Sequence, residues 1–126
     1  MQKILVVDDE PAVRSFVGQS LRKANFGVIE ATSGKDALET IRSSAPDLVL
    51  LDIRMPSMDG LEVLQHIRTS PASQSLPVIF LTGTILDVDE LVQALELDPC
   101  DFVTKEISSR ELVARVRWVL RRQRRF

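Results

Sequence analysis

The sequence predicts an α/β fold: one doubly wound, five-stranded parallel sheet with helices on both faces. Two observations carry this. Short apolar runs bounded by turn residues alternate five times with longer segments of helical period, the order of successive parallel β-α units. The runs "LVLL" and "VIFL" are apolar at every position, as strands covered on both sides must be, rather than alternating as half-exposed strands do. With 126 residues, 44% of them hydrophobic, the chain can bury one core and is too short for two. Residues 1–126 are therefore expected to form a single domain, without internal linker or low-complexity segment.

The first unit is "KILVVD", Lys3 to Asp8, then a helix from Pro11 to Asn25; proline suits the first helical turn, where a missing N–H costs nothing. "GVIEA" from Gly27 is followed by a helix from Gly34 to Ser43, with Ser33 ahead of it as a capping residue. "PDLVLLD", Pro46 to Asp52, leads through a loop containing Met55-Pro56 and Asp59-Gly60, both turn chemistry, into a helix from Gly60 to Thr69. "PVIFLT", Pro77 to Thr82, precedes a helix from Val88 to Leu97. "DFVT", Asp101 to Thr104, precedes one from Ser109 to Arg122, where Ser108 and Glu111 have capping-box spacing. In this last helix Leu112, Val113, Val116, Val119 and Leu120 make one apolar stripe at about 100° per residue. Trp118 falls on the opposite side beside Glu111, Arg115 and Arg122. It is either an interface anchor or a ring lying along arginine stems.

The net charge of −2 and 27% charged residues describe a globular protein with no bulk attraction to nucleic acid or membrane. Nowhere do apolar residues run long enough to span a bilayer, and Met1 leads straight into a strand-like run, so neither export nor insertion is expected. Cys100 is the only cysteine: it has no internal disulfide partner and no companion for a zinc site, and reads as a small packing residue. A cytoplasmic protein is expected.

In a parallel sheet all strands end on one edge, and ligands bind outside those carboxyl ends. The residues closing the strands are Asp8 and Asp9, Asp52, Thr82 and Lys105. Singly each has an ordinary explanation, such as acids complementing a helix N-terminus; jointly they put three carboxylates, a hydroxyl and an ammonium on one rim. Two like charges about 4 Å apart repel by about 1 kcal/mol in water and about 4 kcal/mol near a protein surface, so clustered acids cost stability or attract a cation. Hard oxygen ligands without neighbouring His or Cys suit Mg²⁺.

Asp8-Asp9, the "LDIRMPSMDG" segment around Asp52, Thr82 in "FLTGT", and Phe102 with Lys105 in "DFVTK" together resemble the receiver domain of a two-component response regulator, over essentially the whole chain. The resemblance implies a flavodoxin-like (βα)5 fold with strand order 2-1-3-4-5. It implies that Asp52 accepts a phosphoryl group from a histidine kinase or phosphotransfer protein, with Mg²⁺ held by Asp8, Asp9, Asp52 and the backbone carbonyl of Arg54. Lys105 would pair with one phosphoryl oxygen and the Thr82 hydroxyl with another, Gly83 leaving room for the group. Thr82 and Phe102 would form the switch, and the fourth helix, fifth strand and fifth helix the interaction surface. The protein would be no enzyme beyond its own phosphorylation and dephosphorylation. The same resemblance raises a homodimer through that surface, with Asp101 and Arg115 fitting an ion pair between copies. Leu91, Leu97 and Cys100 depart from the polar residues usual there.

Receivers usually have proline after the active-site lysine; this chain has Glu106. A cis bond to a non-proline residue costs about 2.5–4 kcal/mol, so the loop either takes a trans bond with altered geometry or stores strain, and Glu106 is expected to compete for the charge of Lys105. Arg54, two residues past Asp52, can reach the phosphoryl pocket. His66 is expected on the surface. Residues 121–126, "RRQRRF", read as a basic tail leading to an effector domain outside this chain rather than as a nucleic-acid contact. Two alternatives remain beside the switch. One is a degenerate receiver acting as a phosphorylation-independent scaffold. The other is a metal-dependent phosphatase, although that chemistry wants a carboxylate where Arg54 stands. A flavin module is disfavoured because "DDEP" would repel a phosphate.

Overall fold

Successive side chains of each apolar run go to opposite sides of the sheet, and both sides are covered. Ile4, Val6, Leu48, Leu50, Ile79, Leu81 and Val103 belong to one buried layer; Leu5, Val7, Val49, Leu51, Val78 and Phe80 belong to the other. The computed structural model describes residues 1–83 and 86–123. Its elements are β1 (Lys3–Val7), α1 (Pro11–Lys23), β2 (Gly27–Ala31), α2 (Gly34–Ser44), β3 (Leu48–Asp52), α3 (Gly60–Thr69), β4 (Val78–Thr82), α4 (Val88–Glu96), β5 (Asp101–Thr104) and α5 (Ser109–Gln123). All pairings are parallel, in the order β2-β1-β3-β4-β5, the flavodoxin-like arrangement.

Helices α1 and α5 cover the first layer through Val17, Leu21, Leu112, Val116, Val119 and Leu120, with Val113 packed at its margin. The stripe expected on the last helix is thus the face it buries. Helices α2, α3 and α4 cover the second through Ala37, Val63, Leu64, Ile67 and Ala94. At about 1.5–3 kcal/mol for each fully buried aliphatic side chain, these layers are what allows the sheet to carry a charged edge. Helix α4 is the least anchored of the five: Ala94 is its only buried residue, while Val88, Leu91, Val92 and Leu95 are exposed.

The helix starts follow their caps. Ser33 Oγ accepts from the Asp36 amide at 3.1 Å, Asp59 Oδ1 from Glu62 at 3.0 Å and Ser108 Oγ from Glu111 at 3.1 Å, each worth roughly 1 kcal/mol. Glu111 turns its carboxylate to Arg115 Nε at 2.9 Å, so the box expected at Ser108 is used in one direction. The reciprocal box lies at α4, where the Glu90 amide donates to Asp87 Oδ1 at 2.8 Å and the Asp87 amide to Glu90 Oε1 at 3.3 Å.

Ends differ from the sequence reading by one or two residues, for local reasons. Helix α1 stops at Lys23 because the chain reverses at Asn25, in the left-handed region at φ 69°, with the Asn25 and Phe26 amides folded back onto the Arg22 and Leu21 carbonyls. Helix α4 ends before Leu97, ahead of Asp98 at φ 57°, and β4 begins after Pro77, which has no amide to give the ladder. Helix α5 continues through Gln123, so the first half of the expected basic tail is helical; residues 124–126 lie outside the described residues, as do 84 and 85.

The loop after β3 is drawn tight. The Gly60 amide donates to the Ile53 carbonyl at 2.8 Å, and a Cβ at Gly60 would stand 2.3 Å from the Asp52 carbonyl oxygen and 2.8 Å from Ile53 Cα. Both are backbone atoms that cannot rotate aside. Gly60→Ala should therefore destabilise the fold by roughly 1–3 kcal/mol, the usual cost of overpacking, with urea unfolding as the measurement; an unchanged midpoint would mean that the loop relaxes freely.

Candidate functional site

Parallel register brings the strand ends to one edge. Asp52 closes β3 opposite Leu81, and Thr82 closes β4 opposite Thr104. The Ile53 amide donates to the Leu81 carbonyl at 3.2 Å and the Lys105 amide to the Thr82 carbonyl at 3.0 Å. Asp8 follows β1, its amide on the Ala31 carbonyl at 3.2 Å. Asp8 and Asp52 are almost fully buried, at 0% and 1% exposure, while Asp9 is exposed and Thr82 half-buried.

Lys105 crosses this edge. Its Nζ lies 3.0 Å from Asp8 Oδ2, 3.2 Å from Asp52 Oδ2 and 2.8 Å from Glu10 Oε1. Gly83 gives its stem passage: a Cβ there would meet Lys105 Cδ at 3.3 Å. The other carboxylate oxygens are fixed by backbone, Asp8 Oδ1 accepting from the Glu10 amide at 2.9 Å and Asp52 Oδ1 from the Arg54 amide at 3.2 Å. Asp8 Oδ2 and Asp52 Oδ2 are buried and receive no aligned hydrogen bond; the ammonium serves them by charge rather than by directed N–H bonds.

One cation among three carboxylates leaves an excess of negative charge. Burial, then the neighbouring Asp8 charge, push the Asp52 carboxyl up from 3.8 to about 7, although Lys105 and the Arg54 amide oppose this. Burial works against the Lys105 ammonium, but its contacts with Glu10 and Asp8 and the charge of Asp52 outweigh that, and its pKa is raised.

The expected competitor for Lys105 was Glu106; the residue in contact is Glu10. Glu106 is exposed, and the described residues contain no cis peptide bond, so Lys105–Glu106 takes the trans alternative. In the sequence Glu10 is the third of three consecutive acids after the first strand; its pairing with a residue far along the chain leaves no local trace. Arg54 sends its guanidinium Nη2 to Glu90 Oε1 at 2.6 Å. Phe102 is half-buried against Phe80, ring centres 5.3 Å apart. Asp101 and Arg115, expected to pair between copies, pair within the chain at 2.8 Å. Trp118 is exposed, and the Arg122 guanidinium lies over its ring, Cζ 4.5 Å from the ring centre. His66 is exposed, as expected.

The donor set fits a hard divalent cation. Every side chain offered is an oxygen donor, and two buried carboxylate oxygens lack aligned donors. Among the described residues, carboxylate oxygens of Asp8, Asp9 and Glu10 lie within 4.8 Å of one another. This grouping adds Glu10 to the acids expected from sequence, whereas Asp52 joins Asp8 through Lys105.

A family model described as the response regulator receiver domain matches residues 4–117. Among solved structures, the N-terminal domain of a response regulator receiver protein from Methanoculleus marisnigri JR1 is 36% identical, with 95% of this chain and 97% of that one covered and a TM-score of 0.77. The signal receiver domain of a signal transduction histidine kinase from Syntrophus aciditrophicus is 28% identical, covering 100% of this chain and 95% of its own, with a TM-score of 0.91. A response regulator receiver domain protein from Methanospirillum hungatei JF-1 is 25% identical over 98% of this chain and 97% of its own, also with a TM-score of 0.91.

The raised Asp52 pKa has a stability consequence. Between pH 3.8 and about 7 the folded state binds this proton more tightly than the unfolded chain does, so its contribution is full below that window and is lost as pH rises through it. In EDTA, Asp52→Asn should lack this loss and be more stable than the wild type at pH 8 by on the order of a few kcal/mol, converging with it near pH 4. Urea titrations at both pH values measure this, and equal stabilities at pH 8 would refute a strained Asp52 carboxylate.

Proposed function

The chain belongs to the response regulator receiver domain family, and we propose that it works as a phosphorylation-operated switch whose acceptor is Asp52. The observation that carries this reading is Lys105 lodged between Asp8 and Asp52 at the strand ends. An ammonium already held at the acceptor can take a phosphoryl oxygen as one arrives.

Asp8, Asp9, Asp52 and the backbone carbonyl of Arg54 would hold Mg²⁺. When bound, that ion offsets the negative charge of donor and acceptor. The chain's own residues do the remainder. An ionised Asp52 oxygen forms the new bond to phosphorus, while the bond from phosphorus to the donor atom breaks and the donor leaves with its electron pair; on a histidine kinase or phosphotransfer protein that atom is a histidine nitrogen. Because Asp52 titrates near 7, its nucleophilic form grows with pH across neutrality, and a nearby cation shifts the balance further toward it. Lys105 trades carboxylate contacts for a phosphoryl oxygen, a charge-assisted hydrogen bond. The Thr82 hydroxyl takes another oxygen, and Phe102 answers by turning further into the layer that holds Phe80.

The output surface is α4, β5 and α5, where Leu91, Val92, Leu95 and Trp118 are exposed. On this reading the domain acts in the cytoplasm, its partners are a kinase or phosphotransfer protein and, through the same surface, a second copy, and α5 leads on to an effector domain. No described helix is long and apolar enough to cross a membrane.

Intact-mass measurement after incubation with Mg²⁺ and acetyl phosphate tests the proposal. The wild type should gain one phosphoryl group, EDTA should prevent the gain, and Asp52→Asn should show none. A folded, Mg²⁺-binding wild type that never gains the mass with either acetyl phosphate or a phosphorylated histidine donor would favour the phosphorylation-independent scaffold.

A further inference from the structure

One ion pair joins the acceptor loop to the first turn of α4. Arg54 Nη2 lies 2.6 Å from Glu90 Oε1, and that same oxygen accepts the Asp87 amide at 3.3 Å, closing the α4 capping box over a long bond. At its other end Arg54 is tied to the acceptor, its amide donating to Asp52 Oδ1. A cavity of about 250 Å³ lined by Ile53, Arg54, Met55, Asp59 and Glu90 lies beside the pair, so the guanidinium has room to change partners.

We propose that Glu90 is a positioning residue for Arg54: it holds the guanidinium toward α4 until Asp52 is phosphorylated, and the phosphoryl group then draws Arg54 off, returning Glu90 Oε1 to the Asp87 amide. This rests on the reading of Asp52 as the acceptor. The exchange follows from charge. A phosphoryl group carries about −1.5 to −2 against −1 for a carboxylate and offers three oxygens to a planar fork of donors. Glu90 is not left stranded, because a carboxylate in the first turn of a helix is favoured by the helix dipole. The oxygen that Arg54 gives up is the one on which the Asp87 amide has only a long bond, so the cap tightens. Since α4 buries only Ala94, a change in its first turn meets little resistance from packing.

The substitution that isolates this role is Glu90→Gln, which removes the charge and keeps a residue competent for the capping box. Amide exchange at Asp87 should slow several-fold when the wild type is phosphorylated, Arg54→Ala should show the slow rate before phosphorylation, and Glu90→Gln should show no response. With the charge of Glu90 no longer opposing the exchange, Glu90→Gln should also lower the KM for acetyl phosphate several-fold with little change in kcat, and adding Arg54→Ala should abolish that gain. An unchanged Asp87 amide in protein whose mass shows full phosphorylation, or an unchanged KM in Glu90→Gln, overturns the role of Glu90 and leaves the acceptor reading intact. Absence of any mass gain overturns both.

Discussion

Lys105 carries a single positive charge to an edge where Asp8 and Asp52 are almost wholly removed from water, and the surrounding chain is arranged around that imbalance. Removing one partner from a buried ion pair typically costs about 3–5 kcal/mol, because the other charge is left unpaired. Two glycines serve this edge: Gly83 leaves the lysine stem easy passage, and Gly60 lets the loop close against the Asp52 carbonyl. Two dry layers of aliphatic side chains supply the stability that such an edge consumes. The outcome is an Asp52 carboxyl displaced far from its ordinary range, one whose protonation answers to any cation or anion that enters.

Features written locally were legible in the sequence. The unbroken apolar runs "ILVV" and "LVLL" mark strands covered on both sides, and Ser33, Asp59 and Ser108 cap the helices they precede. The edge constellation of Asp8, Asp52, Thr82 and Lys105 was readable too, since a parallel sheet sends every strand end to one side whatever the loops do. What escaped were choices between partners distant in sequence. Glu10 and Glu106 are equally plausible neighbours for Lys105 on paper; Glu10 has it because α1 begins directly beneath the lysine head, while Glu106 is exposed. Asp101 and Arg115 could have paired within or between chains, and only the geometry of β5 against α5 brings them to 2.8 Å. The reciprocal cap at Asp87 and Glu90 carries the same local signature as Ser108 and Glu111, an N-cap acceptor with Glu three residues on.

Helices α4 and α5 flank β5 yet are held very differently. Helix α5 seals its layer with four buried residues; α4 relies on one alanine and on its cap. Subglobal openings are drawn from elements with few buried apolar contacts, so movement on this face falls to α4, while α5 serves as the fixed side.

The strand order also bears on how the molecule comes together. Strands β2, β1 and β3 are adjacent, so the first half of the chain supplies three neighbouring strands with Asp8 and Asp52 at their rim. Among the described residues, the ammonium that meets them comes from the end of β5, the last strand in the chain and an edge of the sheet. Until that strand docks, the growing sheet carries uncompensated negative charge at its rim. Docking β5 relieves it, and electrostatic attraction thereby adds to hydrophobic burial in drawing the final β-α unit into place. The strand that completes the sheet is thus also the one that supplies the site's positive charge.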